Sequence, residues 1–363
     1  MNRITKRIKE AMLTIAAVSA MATVVSCNRE ADGLFEEGTH QPEQKVATVR
    51  ENGALAQSWD WGEKKLSTIT DQQNGCTYTF GYAGDKLANT VVSYKDGSME
   101  SIFYSYENGY LTKVELVNGN RVDMEFQVSH NANDKFSTIN INISDIYFFE
   151  MAMAALNGNI MIKSQGARLL LGDDVFDNLV KVAAVTPQSN RKGAKYSIEN
   201  KHFQLTYAWD GDNVREEVLS GNVAATATLS DMGQFIDLGP LQFFLDYLDM
   251  DIEYPISVTV SRKVTYTYDE KFNPYWYCWI AGFDARSLSR NNILTDVAVG
   301  SGEGTVTVSL PNEVPMVGGM EYPLSRTVDM SHDYSYTYEY NRKKYPVTVT
   351  NQQGARVEFE YKK

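Results

Sequence analysis

Short runs of alternating apolar and polar residues, separated by turn residues, fill the chain from about residue 58. They predict seven strands before residue 144, at 64–70, 76–82, 86–94, 99–106, 110–117, 121–128 and 135–143. Most breaks carry pairs such as Asn108-Gly109 and Asn118-Gly119, which supply the positive φ of tight hairpin turns. Strands at this spacing predict an all-β fold built as an antiparallel meander.

The period changes from two to about 3.6 between residues 144 and 193, where apolar residues such as Val175, Leu179 and Val182 recur. This pattern predicts a small helical insertion. It would either cap an open end of the sheet or form a plug over a ligand cavity. Further strands are predicted at 196–209, 214–219, 223–229, 256–268, 293–299, 305–310, 334–340, 345–350 and 356–361, and the apolar stretch 235–251 fits a short helix or a bent strand.

The N-terminus has the pattern of an export signal. Four basic residues precede a 13-residue apolar stretch at 13–25, which is too short to cross a bilayer as a helix. Cys27 follows directly and is the expected lipidation site, so residues 1–26 are predicted to be a lipoprotein signal peptide. Residues 27–57 are polar and predict a tether. The acidic residues Glu30 and Asp32 resemble the signal that sends Bacteroidota lipoproteins to the cell surface.

The charge balance limits the partners. Without residues 1–26 the chain has 30 basic and 45 acidic residues, which argues against nucleic acid and anionic membrane surfaces as partners. We therefore expect membrane contact through the lipid anchor alone. These features predict an exported outer-membrane lipoprotein, and the oligomeric state stays open.

A loose repeat of paired aromatics followed by a polar turn recurs along the chain. Its clearest forms are Tyr266-Thr-Tyr268 before Asp269 and Asn273-Pro274, and Tyr336-Thr-Tyr338-Glu-Tyr340 before Asn341 and Tyr345-Pro346. Residues two apart in a strand share a face, so each unit places paired rings on one side of the sheet.

These units resemble tyrosine–aspartate repeats, and more closely a family of Bacteroidota lipoproteins of unknown function described as porin-like in fold. The resemblance is best over residues 260–361 and implies export, lipidation and a curved, barrel-like antiparallel sheet, with no catalytic residues. Family members commonly have Gly before the final Tyr-Pro, where this chain has Lys344. The polar residues opposite the tyrosines, such as Thr337 and Glu339, argue against a lipid-facing pore.

The sequence shows no motif for catalysis or for a bound cofactor or metal. It lacks a zinc-type cluster, a nucleophile elbow and a phosphate loop, and the glycine-rich stretch Gly300–Gly304 reads as a hairpin loop. Cys76 and Cys278 could pair after export or stay separate buried thiols. We expect no cofactor and no metal site.

Two aromatic clusters are candidate ligand-binding residues, either as exposed platforms for sugars or as core. They contain Trp59 and Trp61 in one segment and Trp276 and Trp279 in the other. The sequence therefore favours a non-enzymatic binding or accessory module with a glycan or peptide ligand. The alternative is an envelope hydrolase of polysaccharide or peptide that uses paired carboxylates.

Overall fold

The computed structural model describes residues 43–63, 65–156, 164–186, 197–228, 253–276, 282–309, 312 and 318–362. The described strands are β1 Val46–Glu51, β2 Ala54–Trp61, β3 Leu66–Asp71, β4 Cys76–Ala83, β5 Lys86–Tyr94, β6 Met99–Glu107, β7 Tyr110–Asn118, β8 Arg121–His130, β9 Phe136–Ile143, β10 Ser197–Asp210, β11 Asn213–Thr228, β12 Glu253–Phe272, β13 Asn291–Ser309, β14 Glu321–Asp329, β15 His332–Tyr340, β16 Pro346–Asn351 and β17 Arg356–Tyr361. The helices are α1 Asp145–Leu156, α2 Gln165–Val185 and α3 Ala285–Leu288.

The strands form one closed antiparallel barrel. Each strand from β1 to β13 pairs with the next, and β1 closes the ring by pairing with β17. β14 and β15 follow one another along β13, interrupted at Met330 and Ser331, so together they occupy one strand position. The wall therefore has sixteen positions, and this even number keeps the alternation of strand direction intact across the closure. This confirms the predicted all-β, antiparallel, barrel-like fold.

The wall buries its apolar residues inward and shows polar residues outward. In β12, Ile256, Val258 and Val260 are buried, whereas Ser257 and Lys263 are exposed. The large exposed apolar side chains of the described residues are scattered over several elements: Leu55, Met99, Phe103, Val122, Ile146, Val297, Val299 and Met320. The described outer faces thus lack the apolar band that a lipid-facing barrel presents. No described helix is long and apolar enough to cross a membrane.

The helical insertion enters the barrel. Ser144 begins α1, because its hydroxyl accepts a hydrogen bond from the backbone N–H of Tyr147. α2 packs against β6 on one side and against β12, β13 and β14 on the other, which are nearly opposite parts of the wall. Leu171, Phe176 and Leu179 of α2 are fully buried in the common core. Of the two interpretations of the insertion, this arrangement is the plug.

The predicted tether overlaps the barrel. β1 and the first half of β2 lie within residues 27–57, so the β domain begins at Val46 instead of residue 58. β1 has only six residues, so its sequence shows little alternation of apolar and polar positions. It is held as a strand by its pairing with β17, in which Val49 faces Phe359. The prediction for residues 235–251 lies outside the described residues.

Two predicted turns are strand interiors. The predicted strands 214–219 and 223–229 are one strand, β11, and 293–299 and 305–310 are one strand, β13. The hairpin predicted at 300–304 is therefore wrong. A Cβ on Gly302 would lie 2.8 Å from Met330 Cε, and one on Gly304 would lie 2.8 Å from the Val185 carbonyl oxygen. These glycines let the end of α2 approach the wall.

The tyrosine row of β15 faces inward, as its spacing predicts. Tyr336 donates to Asp296 Oδ2 at 3.1 Å, Tyr338 donates to the Ile293 carbonyl at 2.7 Å, and Tyr340 donates to Asp269. Lys344, which stands where the resembled family has Gly, adopts φ +66°, the left-handed conformation that glycine favours. The turn thus forms with a lysine in a backbone conformation that glycine adopts more easily.

Candidate functional site

The interior of the barrel contains a cavity of about 710 Å³ between α2, α3 and the wall. Its lining includes Gln73 and Asn74, which are exposed in the turn between β3 and β4, so the cavity reaches the surface there. Gly172 also lines it. At φ +73° this glycine interrupts α2, and a Cβ there would lie 2.9 Å from Asp284 Oδ2. The kink places Asp173 and Asp174 at the cavity.

One side of the cavity is aromatic. Trp59 of β2 is 2% exposed, and its ring centroid lies 6.5 Å from that of Trp61 and 6.1 Å from that of Tyr275. The Trp59 indole N–H donates to Gln57 at 3.1 Å, and the Tyr78 hydroxyl donates to Gln165 at 3.2 Å. Trp59 belongs to the buried core, whereas Tyr275 is only partly buried and has more ring surface open to the cavity.

The opposite side carries charged groups around one buried arginine. Arg262 of β12 has no exposed side-chain surface, donates to the Met330 carbonyl at 3.2 Å and pairs with Asp174 of α2. Its Nη1 lies 3.9 Å from Glu217 Oε1. One guanidinium therefore lies between two carboxylates from different elements, and this joins the plug to the wall.

A histidine extends this charged cluster. His332 Nδ1 lies 3.7 Å from Asp174 Oδ1, and His332 Nε2 lies 3.2 Å from Asp296 Oδ1. The second contact is too bent for a hydrogen bond, so both atoms are left without one among the described residues. The imidazole stacks on Tyr334 with 4.5 Å between ring centroids. His332 is therefore held between two acidic residues and one aromatic ring.

Glu217 is the most perturbed acid of the cavity. Its residue is 2% exposed, and burial raises the pKa of its carboxyl from 4.5 to about 8, with Arg262 opposing that rise. The carboxylates of Asp284, Asp174 and Asp296 also raise this pKa. Glu217 Oε2 has no hydrogen-bond partner within the described part of the chain. Glu217 thus lines the cavity as a carboxyl whose burial favours the protonated form, and its Oε2 is a buried oxygen without a partner among the described residues.

The structure separates the candidate residues taken from the sequence. Trp59 and Trp61 stack on one another, and Trp59 lines the cavity. Trp61 instead donates its indole N–H to the Val46 carbonyl at 2.7 Å and is partly buried against the core. Trp276 is 9% exposed and lies under the guanidinium of Arg290, 5.7 Å away, outside the lining. Trp279 and Cys27 lie outside the described residues.

Cys76 is a buried free thiol in β4, and burial raises its pKa to about 11. Such a thiol is largely protonated and unreactive at neutral pH. Its possible partner, Cys278, lies outside the described residues. Among the described residues, no group of three His, Cys, Asp or Glu side chains is arranged to hold a metal ion.

The charged cluster escaped the sequence analysis because its members come from separate elements. Arg262, Glu217 and Asp296 lie on three successive strands, and Asp174 lies on a helix. One signal was available in β12, where Val258, Val260 and then Arg262 occupy the same inward face. A charge that interrupts an otherwise apolar face indicates a buried polar site.

Neither a protein-family model nor a curated protein matches the chain. Among solved structures, the chain is similar to a porin-like protein from Bacteroides uniformis at 10% sequence identity, over 88% of this chain and 95% of that one. The TM-score of the match is 0.29. The barrel architecture rests on the strand pairing described above.

Proposed function

We propose that this protein is an exported, lipid-anchored envelope protein that binds a glycan inside its barrel without catalysing a reaction. The observation that carries the proposal is the cavity of about 710 Å³, with Trp59 and Tyr275 on one side and the charged residues around Glu217 on the other. Its volume is within the range of roughly 300–1,000 Å³ that is typical of ligand pockets.

The lining suits a sugar because it combines two kinds of contact. Aromatic rings such as Trp59 pack against the apolar C–H face of a pyranose, as they do against other flat apolar surfaces. Carboxylate and amide oxygens such as those of Asp296 and Gln57 accept hydrogen bonds from hydroxyl groups. A peptide ligand is the remaining alternative, and the binding experiment below includes it.

The location is proposed from the N-terminal sequence. The export signal and Cys27 support attachment to the outer membrane through lipid chains, with two or more chains giving stable anchoring. The polar outer faces of β12 and β15 support this view, because a barrel with such faces needs a separate anchor to stay at a membrane.

Glycan-array binding of the full-length protein in detergent tests the proposal, with a peptide array alongside. Trp59→Leu removes the ring but keeps an apolar side chain, and it should lower the affinity for any glycan found by about tenfold or more. Phe103→Leu is the matched control, because Phe103 is 41% exposed on the outside of β6. Binding to peptides alone, or equal binding by both variants, would contradict the proposal.

A hydrolase is the second candidate, because Glu217 and Asp174 approach the same guanidinium. A carboxyl with a pKa of about 8 could serve as a general acid, and an ionised partner as base or nucleophile. Incubation of the protein with the glycans that it binds separates the two functions. Release of reducing ends that Glu217→Gln abolishes would establish the hydrolase instead of the binding protein.

A further inference from the structure

The cavity has a strong excess of acidic groups. The described residues that line it include seven carboxylate side chains and two arginines, Arg168 and Arg286. The carboxylates belong to Glu51, Asp71, Asp173, Asp174, Glu217, Asp284 and Asp296. Arg168 is already paired with Asp173 at 2.8 Å and with Asp177 at 2.7 Å. Arg262, which lies beside the lining, is paired with Asp174. Among the described residues, these pairs and Arg286 leave an excess of negative charge from Glu51, Asp71, Asp284 and Asp296.

The surroundings of Glu217 show which carboxyl oxygen of the cavity lacks a hydrogen-bond donor. Arg262 of β12 lies 3.9 Å from Oε1 but donates its best hydrogen bonds elsewhere, to Asp174 and to the Met330 carbonyl. The other charged groups that act on Glu217 are the carboxylates of Asp174, Asp284 and Asp296. Oε2 of Glu217 has no partner among the described residues although it is almost fully buried. The nearest donor, Arg262 Nη1, is also without a partner there and lies on the Oε1 side of the carboxyl, beyond hydrogen-bond distance at 3.9 Å. A buried oxygen of this kind costs free energy until a donor reaches it.

We infer that the ligand is a cationic glycan, an oligosaccharide with free amino groups, one of which donates to Oε2 of Glu217. This inference rests on the proposed glycan-binding function and narrows it to one chemical class. An ammonium group supplies the missing donor and the missing positive charge together. The aromatic side chains of Tyr266 and Tyr334 also line the cavity, and aromatic rings attract cations that approach their faces.

The bound ammonium also changes the ionisation of the site. Burial above all, and the neighbouring carboxylates after it, favour the protonated form of Glu217. A cation at Oε2 favours the ionised form, so Glu217 releases its proton to the solvent when the amino sugar binds. The charge that enters the cavity is thereby balanced by a new carboxylate.

A matched pair of disaccharides tests the inference by calorimetry near neutral pH. One sugar is the β-1,4-linked disaccharide of glucosamine, and the other is cellobiose. The two have nearly the same shape, but the first has amino groups where cellobiose has hydroxyl groups. The full-length protein in detergent should bind the diamine about ten- to a hundredfold more tightly than cellobiose, as expected for one charge-assisted hydrogen bond. Added salt should weaken the binding of the diamine more than that of cellobiose.

Two variants separate recognition from folding. Glu217→Gln should remove the preference for the diamine, whereas Glu303→Gln, which removes the same charge from an exposed outward position on β13, should keep it. Thermal unfolding of both variants shows whether the barrel is intact. The comparison of the two sugars on the wild-type protein needs no variant and stands if Glu217→Gln does not fold.

Four results would count against the inference. Equal affinity for the two sugars, or a preference that Glu217→Gln retains, would overturn the cationic ligand but leave glycan binding intact. Binding of neither sugar, together with neutral glycans found on the array, would do the same. Absence of binding to every glycan would overturn both the inference and the proposed function.

Discussion

At the scale of single residues, Glu217 is an acid whose charged form is strongly disfavoured by burial. Its carboxyl is enclosed by β11, β12, α2 and the segment before α3, through Arg262, Asp174 and Asp284. The protein accommodates this acid by keeping it protonated at neutral pH. A protonated acid in a ligand cavity is also a group that the ligand can switch.

The pKa of Glu217 predicts a pH dependence of stability. Between pH 4.5 and about 8 the folded protein holds a proton that the unfolded chain has lost, so the free energy of unfolding falls as pH rises. The loss is complete above about pH 8, and the full stability is present below 4.5. Glu217→Gln should lack this component, which is on the order of a few kcal/mol.

Urea unfolding over this pH range measures the effect as a difference between the variant and the wild type. Groups that do not interact with Glu217 titrate equally in both proteins and cancel, so the difference reports Glu217 together with the charged groups beside it. Glu303→Gln is the control, because the exposed Glu303 should leave the slope unchanged. A wild-type slope that persists in Glu217→Gln would show that Glu217 is ionised in the folded protein.

At the scale of elements, the tyrosine repeat joins neighbouring strands at one end of the barrel. An aromatic side chain near the end of a strand donates to a backbone carbonyl at the start of the preceding strand. The seven described pairs, donor first, are Trp61 with Val46, Tyr82 with Leu66, Tyr106 with Leu87, Trp209 with Phe136, Tyr268 with Val214, Tyr338 with Ile293 and Tyr361 with Pro346. All seven donors lie on strands of the same direction, so they form an aromatic rim.

In several of these units a lysine side chain lies over the aromatic ring. Lys65 lies 4.9 Å above the ring of Tyr82, and Lys86 lies 5.0 Å above the ring of Tyr106. Each ammonium also donates to the carbonyl of a turn glycine, Gly84 at 2.5 Å and Gly109 at 2.6 Å. In these hairpins the repeat is therefore a structural unit that joins each strand to the one before it.

Tyr106→Phe should lower the free energy of unfolding by about 1 kcal/mol, because it removes one hydrogen bond, of 2.8 Å, to the Leu87 carbonyl and keeps the ring. Tyr322→Phe is the control. The hydroxyl of Tyr322 reaches only the weak acceptor Met320 Sδ at 3.7 Å, so its loss should be nearly neutral. Chemical denaturation compares the two, and equal effects would mean that the rim hydroxyls contribute nothing specific.

At the scale of the whole molecule, the barrel is polar outside and filled inside. Its interior holds α2 and the apolar faces of the wall, and its outer surface carries residues such as Ser257, Lys263 and Glu339. The proposed anchor at Cys27 would hold such a barrel at a membrane without contact between its described outer faces and lipid.

Cys27→Ser should move the protein from the detergent phase to the aqueous phase, or leave the signal peptide uncleaved. The reason is that the outer faces of the described strands are mostly polar and offer little apolar surface to lipid. Cys76→Ala is the control, because Cys76 is buried inside the barrel and its loss leaves the anchor in place. Detergent partitioning with immunoblotting measures the change, and a Cys27→Ser protein that partitions like the wild type would show that Cys27 carries no lipid.

The amino-acid sequence by itself determined the hairpins between residues 64 and 143, whose strands agree with the predictions within about two residues. Alternation and turn chemistry act between residues close in the chain, as at Asn108 and Gly109, where both φ angles are positive. The inward face of β15 follows from the same local rule. The helical insertion was also visible, because its period differs from that of the strands.

Tertiary structure decided the rest, because it depends on pairs of residues far apart in the chain. β1 is a strand since β17 lies beside it, and Gly302 and Gly304 lie within a strand because α2 needs their space. The cavity exists only when the barrel closes, since Trp59, Glu217 and Asp174 come from different parts of the wall and plug. No local pattern specifies which distant side chains meet. The closure of the sheet around α2 brings them together.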